Sequence, residues 1–239
     1  MRRYSVFCIV IIGLCLSACT NVQPQQKVVA SDPDDSTFSR LAKSDIDEVI
    51  ELHQRTVMKH LEQLMIKLYK RNPSARYDKA QRNIEDSVNL VFSRPHDFKY
   101  TQLNNRSSTD LIYLALDPEY QGGDRVLPFI VGLRSMLMAS YDLHTEFYYL
   151  TSIDEQKLYN SARNIEIAAW LLAESRNEQD DLYLLSDSLE NERRNLSYQR
   201  LLGQMIATQD NLADIVSHKT GRLIKTVVVK AASMMFLPI

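Results

Sequence analysis

Cysteine is scarce in this chain of 239 residues, and the three present, Cys8, Cys15 and Cys19, all fall before residue 20. Beyond that point there is no thiol for a disulfide framework, a thiolate nucleophile or a cysteine-based metal cluster. Glycine is sparse as well, six in all. No Gly-rich phosphate loop, nucleophile elbow, zinc-ligand cluster or carboxylate-rich calcium loop is spelled out, so the sequence assigns no catalytic residue and no metal ligand. Lys+Arg total 28 against 30 Asp+Glu, a net charge of −2. With no Arg/Lys block, the chain lacks the positive field on which nucleic-acid binding rests, and nucleic acid is excluded as a partner. No apolar run reaches the ~20 residues that cross a bilayer. Strand-length alternation does not recur, and beyond the first twenty residues the longest β-branched run is Thr226-Val227-Val228-Val229.

What is present begins at the N-terminus. Met1-Arg2-Arg3 leads an apolar run from Val6 to Leu16 that ends in Leu16-Ser17-Ala18-Cys19. A positive start, a short hydrophobic segment and small residues before a cleavage point mark a secretory signal. Leu-Ser-Ala-Cys at its end resembles the lipobox of bacterial lipoproteins. The resemblance implies a signal peptide over 1–18 and a covalent lipid on Cys19 as first mature residue, which also consumes the last thiol. Thr20 stands where lipoproteins kept in the inner membrane carry Asp, so the resemblance implies an anchor in the outer membrane, facing the periplasm. More than one acyl chain, at about 0.8 kcal/mol per buried CH₂, passes the threshold for stable attachment. Losing Arg2 and Arg3 with the leader brings the net charge to −4. The blocks LDPEYQGGDRV and KLYNSARNIEIAAW are similar to proteobacterial lipoproteins of no assigned activity, so no mechanism follows from them.

Residues 19–36 are Gln-, Asp- and Pro-bearing with few large apolar side chains, the composition of a flexible tether. From 37 to 239 a single all-α domain is expected, a helical bundle or an array of antiparallel helical hairpins with about seven helices. Ile46, Ile50, Val57, Leu61, Leu64 and Leu68 fall on one helical face between Ser44 and Arg71. Asn72-Pro73 is expected to cap a second helix running to about Phe92, followed by a loop over 93–108. Ser108 or Thr109 caps a short helix through Leu116, and Asp124 caps one from Arg125 to Tyr141 that is apolar nearly all round, the expected central helix. Ser152 with Glu155 reads as a capping box for a helix to about Arg176, and Asp187 with Glu190 as another for a helix to about His218. Gly221 then breaks the chain before a last segment, Arg222 to Phe236. Asn72-Pro73 and Asp117-Pro118 suggest tetratricopeptide boundaries, but the rest of the 34-residue pattern does not follow.

Several residue sets invite a functional reading. His53 and His60 share a face of the first helix, but about 10 Å of rise separates them, too far to share a metal. They read as core histidines. His144-Thr145-Glu146 has no cysteine partners for a zinc site. Gly122-Gly123-Asp124 offers a helix start, but Asp124 itself fills it. On the helix carrying Leu158, Ala162, Ile165, Ala169 and Leu172, the residues Tyr159, Arg163, Glu166 and Trp170 stand in register on the adjoining face. Aromatic and Arg side chains are enriched at interface hot spots, so these four are the candidate partner-binding face, against a plain packing flank with an internal ion pair. The segment 222–239 reads either as a final core helix or as an amphipathic contact with a membrane or partner. The expected function is a non-enzymatic, lipid-anchored scaffold or accessory factor for an envelope protein partner. The alternatives are a periplasmic hydrolase of cell wall or lipid and a hydrophobic-ligand carrier. No cofactor is expected beyond the lipid on Cys19.

Overall fold

Apolar side chains recurring at helical spacing close the first long helix, α1 (Asp45–Arg71), where Ile50, Val57, Leu61, Leu64 and Leu68 are all buried. Asp45, Asp47 and Glu48 lie in its first turn and Lys70 and Arg71 in its last, the arrangement that complements the helix dipole. The computed structural model describes residues 45–76, 78–103, 106–148, 151–186, 188–189, 192–227 and 235–239. They belong to a compact unit, Arg40–Ile239. The leader, Cys19 and the tether lie outside the described residues. Among the described residues the fold is all-α, with six α-helices and two short 3₁₀ turns.

The helix expected from Pro73 to Phe92 is broken. A 3₁₀ turn, Pro73–Ala75, is followed by an irregular stretch, and α2 (Ile84–Phe92) starts where the Asn83 side chain accepts from the Asp86 N–H at 2.7 Å. The reason is a buried charge in the gap. Asp78 accepts from the Ser87 hydroxyl at 2.8 Å and pairs with Arg76 at 3.6 Å and Arg82 at 3.3 Å. An ion that is buried must keep its partners, and this one overrides helix propensity. Asn72 caps no helix either. Its amide donates to the carbonyls of Leu68 and Leu185 and accepts from the Leu185 N–H, all at 2.8 Å, so it ties the later loop to the end of α1.

Ser107 caps α3 (Ser108–Ala115), accepting from the Asp110 N–H at 3.1 Å. The Asp124 carboxylate accepts from the Leu127 N–H at 2.9 Å at the start of α4 (Val126–Ser140). Twelve of the 15 residues of α4 are buried, so it is the central helix, as its all-round apolar character requires. With it α1, α5 (Glu155–Glu174) and α6 (Ser197–Thr220) form an up-and-down ring in which α1 packs on α4 and α6, and α5 on α4 and α6. The polar ties give the directions. Tyr69 near the end of α1 meets Asp124 at the start of α4, and Tyr198 at the start of α6 meets the Lys67 carbonyl. Lys157 at the start of α5 pairs with Asp142 just past α4, and Arg222 past α6 reaches Glu155. Each helix is thus antiparallel to its neighbours in the ring, and α2 and α3 pack outside, on α1 and α4 respectively.

Three further boundaries differ from expectation. Asp154, not Ser152, caps α5 by accepting from the Gln156 N–H at 2.8 Å, and Glu155 is buried instead of reaching back to a cap. Helix α6 starts at Ser197, not near 187. Asp187 and Glu190 lie outside the described residues, and around them an Asn177-centred turn and the Asn72 tie hold the chain non-helical. Gly221 ends α6 with φ of 70°, as expected of a left-handed C-cap. Beyond it 222–227 and 235–239 carry no regular secondary structure, so the final helix expected from Arg222 is not formed in the described residues.

Helices α3 and α4 touch at Gly132, where an added Cβ would lie 2.6 Å from the Ser108 carbonyl oxygen and 2.8 Å from Ile112 Cγ1. Alanine normally stabilises a helix by about 1 kcal/mol over glycine, but overpacking costs about 1–3 kcal/mol. Gly132→Ala therefore lowers the unfolding midpoint, whereas Gly203→Ala on the open face of α6, where nothing lies within 4 Å, raises it. Urea titrations followed by circular dichroism check both signs. A higher midpoint for Gly132→Ala would rule out the close helix crossing.

Candidate functional site

One stripe of α5, with Leu158, Ala162, Ile165 and Leu172, is buried in the bundle, and this orients the two flanks on which polar chemistry gathers. On the first flank Arg163 donates to Asp210 of α6 at 2.6 Å and pairs with Glu166 at 3.1 Å, its guanidinium 4.9 Å from the Tyr159 ring centre. Burial works against the Arg163 charge, but Asp210 and then Glu166 outweigh it and hold the group above its ordinary value. The proposed partner-binding face is therefore partly turned inward. Tyr159, Arg163 and Glu166 converge, with Asp210 as a fourth member, into an ion-pair seam between α5 and α6. Trp170 is half-buried about 10 Å further along the axis from Arg163.

The second flank holds the C-terminal segment. Gln156 accepts from the Lys225 N–H at 2.7 Å and donates to its carbonyl at 3.1 Å. The Tyr159 hydroxyl accepts from the Val227 N–H at 3.0 Å and donates to its carbonyl at 3.2 Å. Asn164 accepts from the Leu237 N–H at 2.7 Å and donates to its carbonyl at 2.9 Å, while Asn160 donates to the Pro238 carbonyl at 2.8 Å. Phe236 stands edge-on to Tyr113 of α3, ring centres 5.2 Å apart, and Ile239 packs against the core. Helix α5 thus holds non-helical backbone: three side chains each satisfy both the N–H and the C=O of one residue.

Sequence reasoning reached Tyr159 but missed Gln156, Asn160 and Asn164. Their signal was legible, an amide at every fourth position, which places them one above another on a helix. Asp210 carried no such signal.

The remaining candidates resolve structurally. His53 and His60 are not core histidines. Both are half-buried on the flank of α1 and line an open groove of about 390 Å³ with Gln204, Thr208 and Asn211 of α6. His53 Nδ1 lies 2.8 Å from the Val49 carbonyl, one turn back on its own helix. The buried Asp124 carboxylate also accepts from Tyr69 at 2.9 Å, so it fills the α4 N-terminus itself. Glu146 accepts from the Tyr148 hydroxyl at 2.7 Å. Among the described residues no group of His, Cys, Asp and Glu is arranged to hold a metal, and no helix is long and apolar enough to cross a membrane.

Comparison of the chain with protein-family models, with curated proteins and with solved structures finds no match. Its function is argued from the geometry above.

Burial first, then Lys59 and Arg200, hold the His60 imidazole below its ordinary value. The folded state thus favours the neutral ring. Its stabilising contribution is complete above the ordinary imidazole value of about 6.5 and is lost as pH falls from there through the folded value. Melting temperatures between pH 8 and 5 are expected to fall less steeply for His60→Asn than for the native chain. Identical slopes would show that His60 does not feel this environment.

Proposed function

We propose that this chain is a lipid-anchored envelope protein that works by binding, as a scaffold or accessory factor that engages an extended polypeptide segment of an envelope partner along α5. The leader ending in Leu-Ser-Ala-Cys19 supports the anchor, and Thr20 supports the outer membrane. The observation that carries the binding role is the paired recognition of Lys225, Val227 and Leu237 backbone groups by Gln156, Tyr159 and Asn164. Contacts to main-chain groups give affinity for extended peptide with little demand on its sequence, so the chain's own tail and a partner segment compete for the same row. If the tail leaves, water replaces its hydrogen bonds, and the net loss per bond is only about 1 kcal/mol. The interior between the four main helices is filled by Leu61, Leu64, Phe129, Ile130, Leu158 and Met205, all fully buried. This favours a surface-binding role over hydrolysis or ligand carriage in a central cavity.

The test is a fluorescein-labelled peptide of residues 222–239 titrated by anisotropy against the full chain and against a chain ending at Gly221. In the full chain the tethered tail competes at an effective concentration of the order of mM. Peptide binding is expected to be at least about tenfold tighter to the shortened chain, and lost again when Asn164→Ala is added. Equal binding to both, or none to a shortened chain with native circular dichroism, would sink the reading. If the shortened chain does not fold, hydrogen exchange on the full chain decides. The Val227 and Leu237 amides must exchange faster than the core amides of α4, and faster still in Asn164→Ala. Exchange only with the core would mean that the tail never leaves.

A further inference from the structure

Four cations converge on the loop that follows α2. Arg94, Lys99 and Arg106 belong to the loop and Arg134 to α4, and among the described residues none of the four pairs with a carboxylate. The overall chain is acidic, so this is a local surplus. Arg134 holds the loop in place. Its guanidinium donates to the Val91 carbonyl at 3.0 Å and the Arg94 carbonyl at 2.7 Å, satisfying the end of α2. The Arg94 guanidinium lies 4.1 Å from the Phe98 ring centre, which stands edge-on to Tyr100 at 4.9 Å. Stacking of this kind orients the cation without neutralising it.

The loop so held forms the wall between two open clefts, with His96 on both sides. One, of about 260 Å³, is lined by Lys99, Arg106, Tyr100, Ser135 and Asp97, the last being the one carboxylate in either lining. The other, of about 270 Å³, is mainly apolar, with Met58, Phe92, Pro95 and Met138 beside Arg94 and Arg134. Each is smaller than the ≈300–1,000 Å³ of a drug-sized site, so a ligand that uses both chemistries has to straddle His96.

We propose that the paired clefts form a binding site for a small anionic amphiphile, its phosphate, sulfate or carboxylate head beside Lys99 and Arg106 and its short apolar body against Met58, Phe92 and Met138. An inorganic anion leaves the apolar cleft unused, and a neutral hydrocarbon leaves the cations unused. The site is separate from the peptide row on α5 and does not rest on the role proposed for that row. Two sources share this chemistry, a soluble metabolite and the headgroup region of an acidic lipid.

Hexyl phosphate is the probe, titrated by calorimetry into the full chain held in neutral phosphatidylcholine nanodiscs, with empty discs as reference. Saturable binding is expected, at least about tenfold tighter than inorganic phosphate or hexanol. The exposed pair Lys99→Ala/Arg106→Ala, which removes no contact within the fold described above, should weaken it by about tenfold or more, as loss of charge-assisted contacts does. Absence of saturable heat, equal binding of inorganic phosphate, or an unaffected double variant would each overturn the proposal. Repeating the titration in phosphatidylglycerol discs separates the sources. Weaker apparent binding of hexyl phosphate there than in neutral discs supports the lipid headgroup, and unchanged binding supports a soluble ligand.

Discussion

The arrangement of the bundle turns on one buried amide. Gln209 of α6 is fully buried and sits where α4, α5 and α6 meet, accepting from the Tyr141 hydroxyl at 2.6 Å and donating to Ser161 at 2.6 Å and Ser140 at 3.1 Å. Both serines pass their own protons to carbonyls one turn back, Leu137 and Leu158, at 2.7 Å. Every polar atom in the group is therefore satisfied, and burial pushes the Tyr141 phenol well above its ordinary value, so it stays a donor. Apolar surfaces tolerate sliding, but a closed network of this kind does not. A one-turn slip of α6 would orphan the Gln209 amide and the Tyr141 hydroxyl at about 1–3 kcal/mol each. Asp210 follows Gln209 in the chain, and the same register delivers it to Arg163.

That register divides α5 into surfaces with different lifetimes. Toward α6, the Arg163 seam combines an ion pair that is partly buried with packing across the helix interface. It has no reason to open while the bundle is folded. Toward the tail, Gln156, Tyr159 and Asn164 hold backbone alone, and the tail residues they hold, Lys225, Val227 and Leu237, are exposed or half-buried. Main-chain hydrogen bonds at a wetted edge exchange with water at little net cost. The aromatic and cationic residues that drew attention to this helix thus serve two purposes. Arg163 and Glu166 fix the helix, and Tyr159, which touches both the guanidinium and Val227, marks the line between the fixed and the exchangeable side.

Where local sequence and tertiary structure agree, the fold was legible. The stripe of α1, the all-round apolar α4, the Asp124 cap and the Gly221 stop each follow from residues within a few positions of one another. The failures share a cause, a partner distant in sequence. Pro73 to Phe92 reads as one helix until Asp78 is known to be buried with Arg76 and Ser87. A helix reads as opening at Asp187 because nothing local shows that Asn72, more than a hundred residues earlier, holds Leu185. The tail reads either as a final core helix or as an amphipathic contact, and in the described residues side chains of α5 take up the backbone groups of Lys225, Val227 and Leu237 instead. At the candidate site, Tyr159, Arg163 and Glu166 were visible from spacing on one helix. Asp210 and the tail were not, because their contacts span 47 to 78 residues of chain.

Short helix α3 stands between the two surfaces. Leu111 lines the polar cleft beside Arg106, Ile112 is fully buried, and Tyr113 meets Phe236 of the tail. A helix touching both places is the natural candidate for coupling them, but coupling needs an element with two arrangements. The seat of α3 argues against a second one. Its first turn lies against Gly132, where even a methyl group has no room, and close-packed contacts of this kind admit one packing and resist rolling. Release of Phe236 would free the Tyr113 ring without moving the Ser108 backbone or the Leu111 wall. The fold thus keeps the amide row of α5 and the cationic clefts on one scaffold, and a ligand at either, as proposed above, would leave the other unmoved.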